Sequence, residues 1–175
     1  TPYNKIDSAL EQLDKRLSDE LFEAVAKIDD YAFERLVTKL VEKMGYGSLT
    51  KVTKKSGDGG IDGIVNGDKF GFDKVCIQAK HWQSDSSVGS PEIRNFSGSL
   101  DVYQAKKGVF ITTAKFSKSA RDEVKRINGP NKTIALVDGN RLIDLMIEHN
   151  LGVFVSRTYE VKTIDTDFFD EGLSE

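Results

Sequence analysis

The chain is poor in the residues that fasten small proteins covalently. It has one cysteine, Cys76, among 175 residues. No internal disulfide can form, which fits a reducing compartment and leaves stability to the core. Two histidines and one cysteine are too few for a His/Cys zinc site. Any resident metal is therefore expected to be a hard cation bound by oxygens. No long uncharged apolar run is present, which excludes a membrane-spanning helix. No basic-then-apolar signal segment opens the chain, so the expectation is a cytoplasmic protein with no membrane partner. Repeats, low-complexity tracts and an internal linker are also missing. The first residue is Thr1, not Met, and a fragment of a longer protein is expected.

What is present is ordinary globular material, 38% hydrophobic and 30% charged. That length can bury one core. The net charge of −3 conceals an asymmetry. Residues 50–126 carry 14 lysines and arginines against nine acids, a net +5, while the rest has 11 against 19, a net −8. A phosphate-binding face needs such a basic excess, although a solvated surface accounts for it equally well.

Periodicity predicts the elements. Ile6, Leu10, Leu13, Leu17, Leu21, Val25 and Ile28 recur at helical spacing over 6–28. Phe33, Leu36, Val37, Leu40, Val41 and Met44 mark a second helix over 30–44, with Asp29 as its cap and Gly45 at its end. Strands are expected at about 49–54, 61–66 and 74–80, with a turn at Asn66-Gly67-Asp68. A polar loop over 83–90 leads to a helix capped by Ser90. Then come a strand at 108–113, a helix over 118–127 capped by Ser117, a strand at 133–137 and a helix over 140–149. Residues 153–161 read as extended, and the acidic end from Asp165 reads as loose. Antiparallel neighbours followed by helical crossovers imply an α/β fold around a mixed five-stranded sheet flanked by helices.

The chemistry concentrates in two short segments. Gly57-Asp58-Gly59-Gly60-Ile61-Asp62-Gly63 is a glycine-rich turn with an aspartate opening a strand. It lacks the G-x-G-x-x-G spacing, and a strand follows it, so it is no dinucleotide-binding loop. Gln78-Ala79-Lys80 lies on the next strand, where alternation puts Gln78 and Lys80 on one face and Ile77 and Ala79 on the other. An acid and a lysine at adjacent strand ends can hold a divalent cation and a water beside a phosphodiester. Each part alone has a plainer reading. Asp62 could close an Asp-Gly turn, Gln-x-Lys could be a strand end in water, and Glu34 and Asp58 could be solvated. His81 and Trp82 could simply pack, and Cys76 could be a small buried side chain.

Taken together and in order, these residues resemble the Mrr family of restriction endonucleases within the PD-(D/E)XK nuclease superfamily. The resemblance runs from Phe33-Glu34-Arg35-Leu36 through Met44-Gly45-Tyr46-Gly47, Asp58-Gly59-Gly60-Ile61-Asp62-Gly63 and Gln78-Ala79-Lys80. It continues in Ile93-Arg94-Asn95-Phe96-Ser97-Gly98, Gly108-Val109-Phe110-Ile111-Thr112-Thr113, Phe116 with Ala120, and Val137-Asp138-Gly139. It implies a restriction-endonuclease-like three-layer fold. It also implies one catalytic domain over 1–175, with an N-terminal helix at 6–28, a nuclease core at 30–150 and an extension at 151–175. An N-terminal DNA-recognition domain would lie outside this chain. The implied activity is metal-dependent cleavage of double-stranded DNA, methylated DNA included, leaving a 5′-phosphate and a 3′-hydroxyl. The implied catalytic set is Asp62, Gln78, Lys80 and Glu34. Mg²⁺, with Mn²⁺ as a substitute, would be held by Asp62, Gln78 and the Ala79 backbone carbonyl. Lys54, Lys55, His81, Arg94 and Lys115 are candidate DNA contacts, and a homodimer or higher oligomer is the expected partner state. Gln78 stands where most of the superfamily has Asp or Glu. That departure keeps open a non-catalytic DNA-binding or oligomerisation module, beside a junction resolvase.

Overall fold

The computed structural model describes residues 1–47, 50–51, 60–170 and 172. Lys54, Lys55 and Asp58, and most of the strand expected at 49–54, lie outside the described residues. The elements run α1 (Pro2–Lys27), α2 (Asp30–Lys43), β1 (Thr50–Lys51), β2 (Gly63–Asn66), β3 (Lys74–Lys80), β4 (Ser87–Val88) and α3 (Ser90–Val102). They continue with β5 (Lys107–Thr112), β6 (Lys115–Phe116), α4 (Lys118–Ile127), β7 (Thr133–Val137), α5 (Gly139–Glu148) and α6 (Thr166–Asp170).

The sheet has five strands in the order β1-β2-β3-β5-β7. The first three are antiparallel, with Gly63 opposite Ile77 and Asn66 opposite Lys74. β3, β5 and β7 are parallel, with Lys80 opposite Thr112. Residues 67–73 join β2 to β3, whereas α3 and α4 carry the chain across to the parallel neighbours.

Strand alternation divides the core into two halves. On one face Val75, Ile77, Ala79 and Ile111 pack against α2 (Phe33, Val37, Leu40, Val41), α5 (Leu142, Ile143, Met146) and the last turns of α1 (Leu21, Val25). On the other, Cys76, Phe110 and Ile134 meet α3 (Ile93, Phe96, Leu100) and α4 (Ala120, Val124). Phe110 stands edge-on to both Phe96 and Phe116, with centroids 5.4 and 5.6 Å away. Cys76 is fully buried. Desolvation raises its thiol pKa to about 11, so it is a packing residue and not a nucleophile.

Several boundaries differ from the sequence expectation for physical reasons. The helix α1 begins at Pro2, and its apolar stripe is not buried: Ile6, Leu10 and Leu13 are 44–59% exposed. Only its C-terminal part reaches the core. The cap of α3 is Gly89, not Ser90, because the Glu92 carboxylate accepts the Gly89 amide at 3.0 Å and so supplies the cap from within the helix. The turn at Asn66-Gly67-Asp68 is a longer loop built on Asp68, whose carboxylate accepts the amides of Phe70, Phe72 and Asp73. Within the polar loop, Ser87–Val88 forms a short parallel pair with Lys115–Phe116. Residues 153–161 join no strand. The caps Asp29 and Ser117 are as expected, accepting from Ala32 N at 2.7 Å and Ala120 N at 3.1 Å.

Replacing Phe110 by Ala removes the ring around which α3 and β6 pack. A loss of about 3–5 kcal/mol is expected, read from urea unfolding. A variant within 1 kcal/mol of the parent (roughly the cost of a surface change) would contradict this view of the core.

Candidate active site

The site is built where β2 begins and β3 ends. The Asp62 amide donates to Ile77 O at 2.9 Å, completing the backbone pairing between the two strands. One step further along β3, the Ala79 amide meets no backbone acceptor on β2. Asp62 Oδ2 accepts it instead, at 2.7 Å. The carboxylate thus replaces a strand carbonyl and is fixed against the centre of Gln78-Ala79-Lys80. A hydrogen bond to an ionised acceptor is among the stronger kinds available to a protein.

The end of β3 is fastened from the other side by β5. Thr112 Oγ1 donates to Lys80 O at 2.7 Å, and the Thr113 amide adds a longer bond of 3.4 Å to the same oxygen. Thr112 is fully buried. Lys80 therefore projects from a strand whose backbone is held on both edges, which suits a group that must be aimed.

Gln78 and Lys80 share a face, as alternation requires. They line an open cavity of about 620 Å³ with Gly60, Trp82 and the α3 residues Glu92, Arg94, Asn95, Gly98, Ser99 and Val102. Gln78 is only 4% exposed. Gly60 closes over the pair at φ +83°, where a Cβ would stand 2.9 Å from Gln78 Nε2 and 3.5 Å from Lys80 Nζ. The positive φ and the close approach to Gln78 both favour glycine here.

Asp62 and Glu34 meet on the opposite face. They line a second cavity of about 350 Å³ with Tyr31, Arg35, Val37, Thr38, Lys39, Glu42, Ile77 and Ala79. β3 therefore runs between an acidic pair on its α2 side and Gln78 with Lys80 on its α3 side. Asp62 lines only the α2-side cavity, and its link to the other face is the bond from the Ala79 amide to its carboxylate. Glu34 joins the site through Asp62, not through Gln78 or Lys80.

The candidate DNA contacts scatter. Arg94 lines the cavity with Lys80 and reaches Glu123 on α4 at 3.4 Å. Lys115 lies elsewhere, in a cavity of about 660 Å³ between α1 and α5 with Asp19, Glu23, Asp138 and Asp144. His81 turns away from both site cavities. Its ring nitrogens lie 3.1 Å from Val25 O and 3.1 Å from Asp30 Oδ1, and the ring rests on Phe33. It latches the end of β3 to the α1–α2 junction, which is the packing role that its position beside Trp82 allowed. Sequence reasoning passed over Thr112, whose hydroxyl holds the Lys80 carbonyl. Its only sequence signal is a polar residue closing an otherwise apolar strand. Asn95 and Ser99 also line the cavity, one helical turn apart on α3.

The end of β3 thus carries an aspartate carboxylate on one face and a glutamine with a lysine on the other. Residues 25–146, from the end of α1 to α5, match the Mrr_cat family of restriction endonucleases. The chain belongs to this family. It is 40% identical over 173 residues to EcoKMrr of Escherichia coli strain K12, a type IV methyl-directed restriction enzyme. The alignment takes in 97% of this chain and 55% of that protein, so the chain spans about half of its relative's length. An uncharacterized protein of Sinorhizobium fredii, y4cE, is 28% identical over 118 residues, 63% of this chain and 30% of its own.

Among solved structures the fold resembles AspBHI, a DNA modification-dependent restriction endonuclease. The TM-score is 0.59 with 20% identity, covering 79% of this chain and 36% of that one. It also resembles the MspJI restriction endonuclease, solved with a 27-mer oligonucleotide, at TM-score 0.53 and 24% identity, covering 77% and 32%. The mixed sheet between helical layers is thus the PD-(D/E)XK nuclease fold. Members of this family generally depend on a divalent metal.

Gly60→Ala tests the closeness of the glycine turn to the Mrr-type site. The left-handed backbone costs a non-glycine residue about 1–2 kcal/mol, and the methyl group must displace the Gln78 amide. Thermal unfolding and a structure of the variant should show both effects. An unchanged melting temperature with Gln78 unmoved would refute the placement of Gly60.

Proposed function

We propose that this chain is a divalent-metal-dependent endodeoxyribonuclease domain that hydrolyses phosphodiester bonds in double-stranded DNA. The observation that carries the reading is the Asp62 carboxylate seated on the Ala79 amide between Gln78 and Lys80. The naming of EcoKMrr as methyl-directed makes methylated DNA the first substrate to try. The cytoplasm is the compartment where such DNA would be met. Residues 1–175 act as one catalytic unit in this reading, and sequence recognition belongs to a further domain of the whole protein. A homodimer or higher oligomer would supply one site for each DNA strand.

The donor set fits Mg²⁺ or Mn²⁺, because every candidate ligand is an oxygen: the Asp62 carboxylate, the Gln78 side-chain carbonyl and the Ala79 backbone carbonyl. A bound divalent ion would supply Lewis-acid stabilisation of the phosphate and a more acidic water. The chain's own groups do the rest. Asp62 keeps its carboxylate fixed by the Ala79 bond, so no reorganisation is needed when charge develops. Lys80 orients the attacking water and offers a positive charge to the phosphate oxygens. Gln78 contributes a neutral oxygen, and Glu34, in the cavity with Asp62, adds the negative charge that Gln78 lacks. Gly60 packs its backbone against Gln78 and so holds that amide in place.

A second reading, a DNA-binding module without catalysis, draws on the same glutamine. Among the described residues no three His, Cys, Asp or Glu side chains cluster closely enough to hold a metal. Plasmid cleavage decides between the two. With Mg²⁺ or Mn²⁺ the chain should nick or linearise plasmid DNA, and EDTA, Asp62→Ala or Lys80→Ala should each reduce the rate by more than about 10²-fold. Tight DNA binding without turnover in any metal would favour the second reading.

The charge at position 78 gives an independent test. Gln78→Glu should lower the Mg²⁺ concentration for half-maximal cleavage, since an added carboxylate strengthens a hard-cation site. A midpoint that stays fixed or rises would remove Gln78 from the ligand set.

A further inference from the structure

We propose that Arg35 and Lys39 on α2 hold neighbouring phosphates of the DNA strand being cut, and so set its position over Asp62. The inference rests on the nuclease reading above and names the substrate contacts of the same site. Both residues line the cavity of about 350 Å³ that holds Asp62 and Glu34. They are four residues apart and therefore share one helix face, about 6 Å apart along the axis. That separation is close to the spacing of successive phosphates on one DNA strand.

Among the described residues their charges are also uncommitted, a state they share with Lys43, Lys115 and Lys125. Arg94, Lys107, Arg121, Arg126 and Lys132 are each held by a carboxylate. Among the described residues neither Arg35 nor Lys39 has an ion-pair partner. The Arg35 guanidinium carbon lies 4.6 Å from the centre of the Tyr31 ring. A guanidinium stacked in this way keeps its in-plane N–H donors for an anion and loses little freedom on binding one. Three acids share the cavity: Glu34, Glu42 and Asp62. Glu34 and Asp62 face the metal in the proposed function, which offsets their charge and leaves Glu42 as the acid opposing the pair. A phosphate contact of this kind positions the duplex without reading its sequence.

The test is the salt dependence of binding by the 175-residue chain. Fluorescence anisotropy with a labelled duplex, in Ca²⁺ to prevent cutting, gives the affinity over a range of salt. In the Arg35→Ala/Lys39→Ala double variant, binding should weaken alike on unrelated sequences. The slope of log K against log salt should fall by about 1.8, two contacts at roughly 0.9 each. Arg35→Lys keeps the charge and should keep the parental slope. Lys125→Ala, exposed on α4 beyond the other sheet face, should also keep it. Both α2 residues are exposed, so the variants should unfold at the parental midpoint. An unchanged slope in the double variant, with a parent that binds or cuts DNA, overturns the inference and leaves the nuclease reading standing. A parent that neither binds nor cuts DNA overturns both.

Discussion

The bond from the Ala79 amide to the Asp62 carboxylate is the contact on which the site depends. An antiparallel pair ends when one strand runs out of acceptors. Here β2 begins only at Gly63, and the acceptor just before it is a side chain in place of a peptide carbonyl. The exchange has two consequences. The amide is satisfied inside a half-buried strand end, which avoids the cost of an orphaned donor. The carboxylate also inherits the rigidity of the sheet, so its position is set by backbone pairing and not by a rotamer.

This arrangement explains why β3 is the central element. Its odd-numbered residues fill the core under α2 and α5, and Cys76 fills the core under α3. Gln78 and Lys80 continue the α3 face beyond the point where that core stops. A lysine at that position is tolerable because the strand is leaving the hydrophobic layer, and Lys80 is already half-buried. Thr112 then fixes the backbone at the transition. Packing further down the strand and the candidate site at its end thus use one alternating pattern, and the register that buries Ile77 also sets the face of Lys80.

How far the sequence could be read follows from the range of the forces involved. β3, α4 and β7 were legible to the residue, since local alternation, helical spacing and the Ser117 cap decide them. The assignment of Gln78 and Lys80 to one face needed nothing more than strand geometry. The Asp62–Ala79 bond was not legible, because it depends on how β2 registers against β3. The Gly89 cap was hidden for a similar reason: Glu92 reaches back to it and makes Ser90 unnecessary. The stripe of α1 misled in the opposite direction. Ile6, Leu10 and Leu13 have the spacing of a buried face, but the core is already closed by α2 and α5 when α1 passes it. His81 follows Lys80 in sequence and turns inward, because Val25 O and Asp30 offer it partners at the α1–α2 junction.

The division of charge around β3 bears on how a site with a single strand carboxylate can manage a polyanion. Acids alone would repel DNA, and cations alone would bind it without holding a metal. The fold separates the two tasks in space. Glu34 and Asp62 concentrate negative charge in the cavity under α2, and Lys80 stands across the strand with Arg94 nearby. Arg35 and Lys39 are exposed and line the same cavity as the acids. With Gln78 in place of an acid, the strand keeps one charge fewer to be offset by metal. The same substitution that weakens cation binding thereby lessens repulsion of the phosphate. In the proposed nuclease, that balance would let a chain of net charge −3 meet DNA at one end of its sheet.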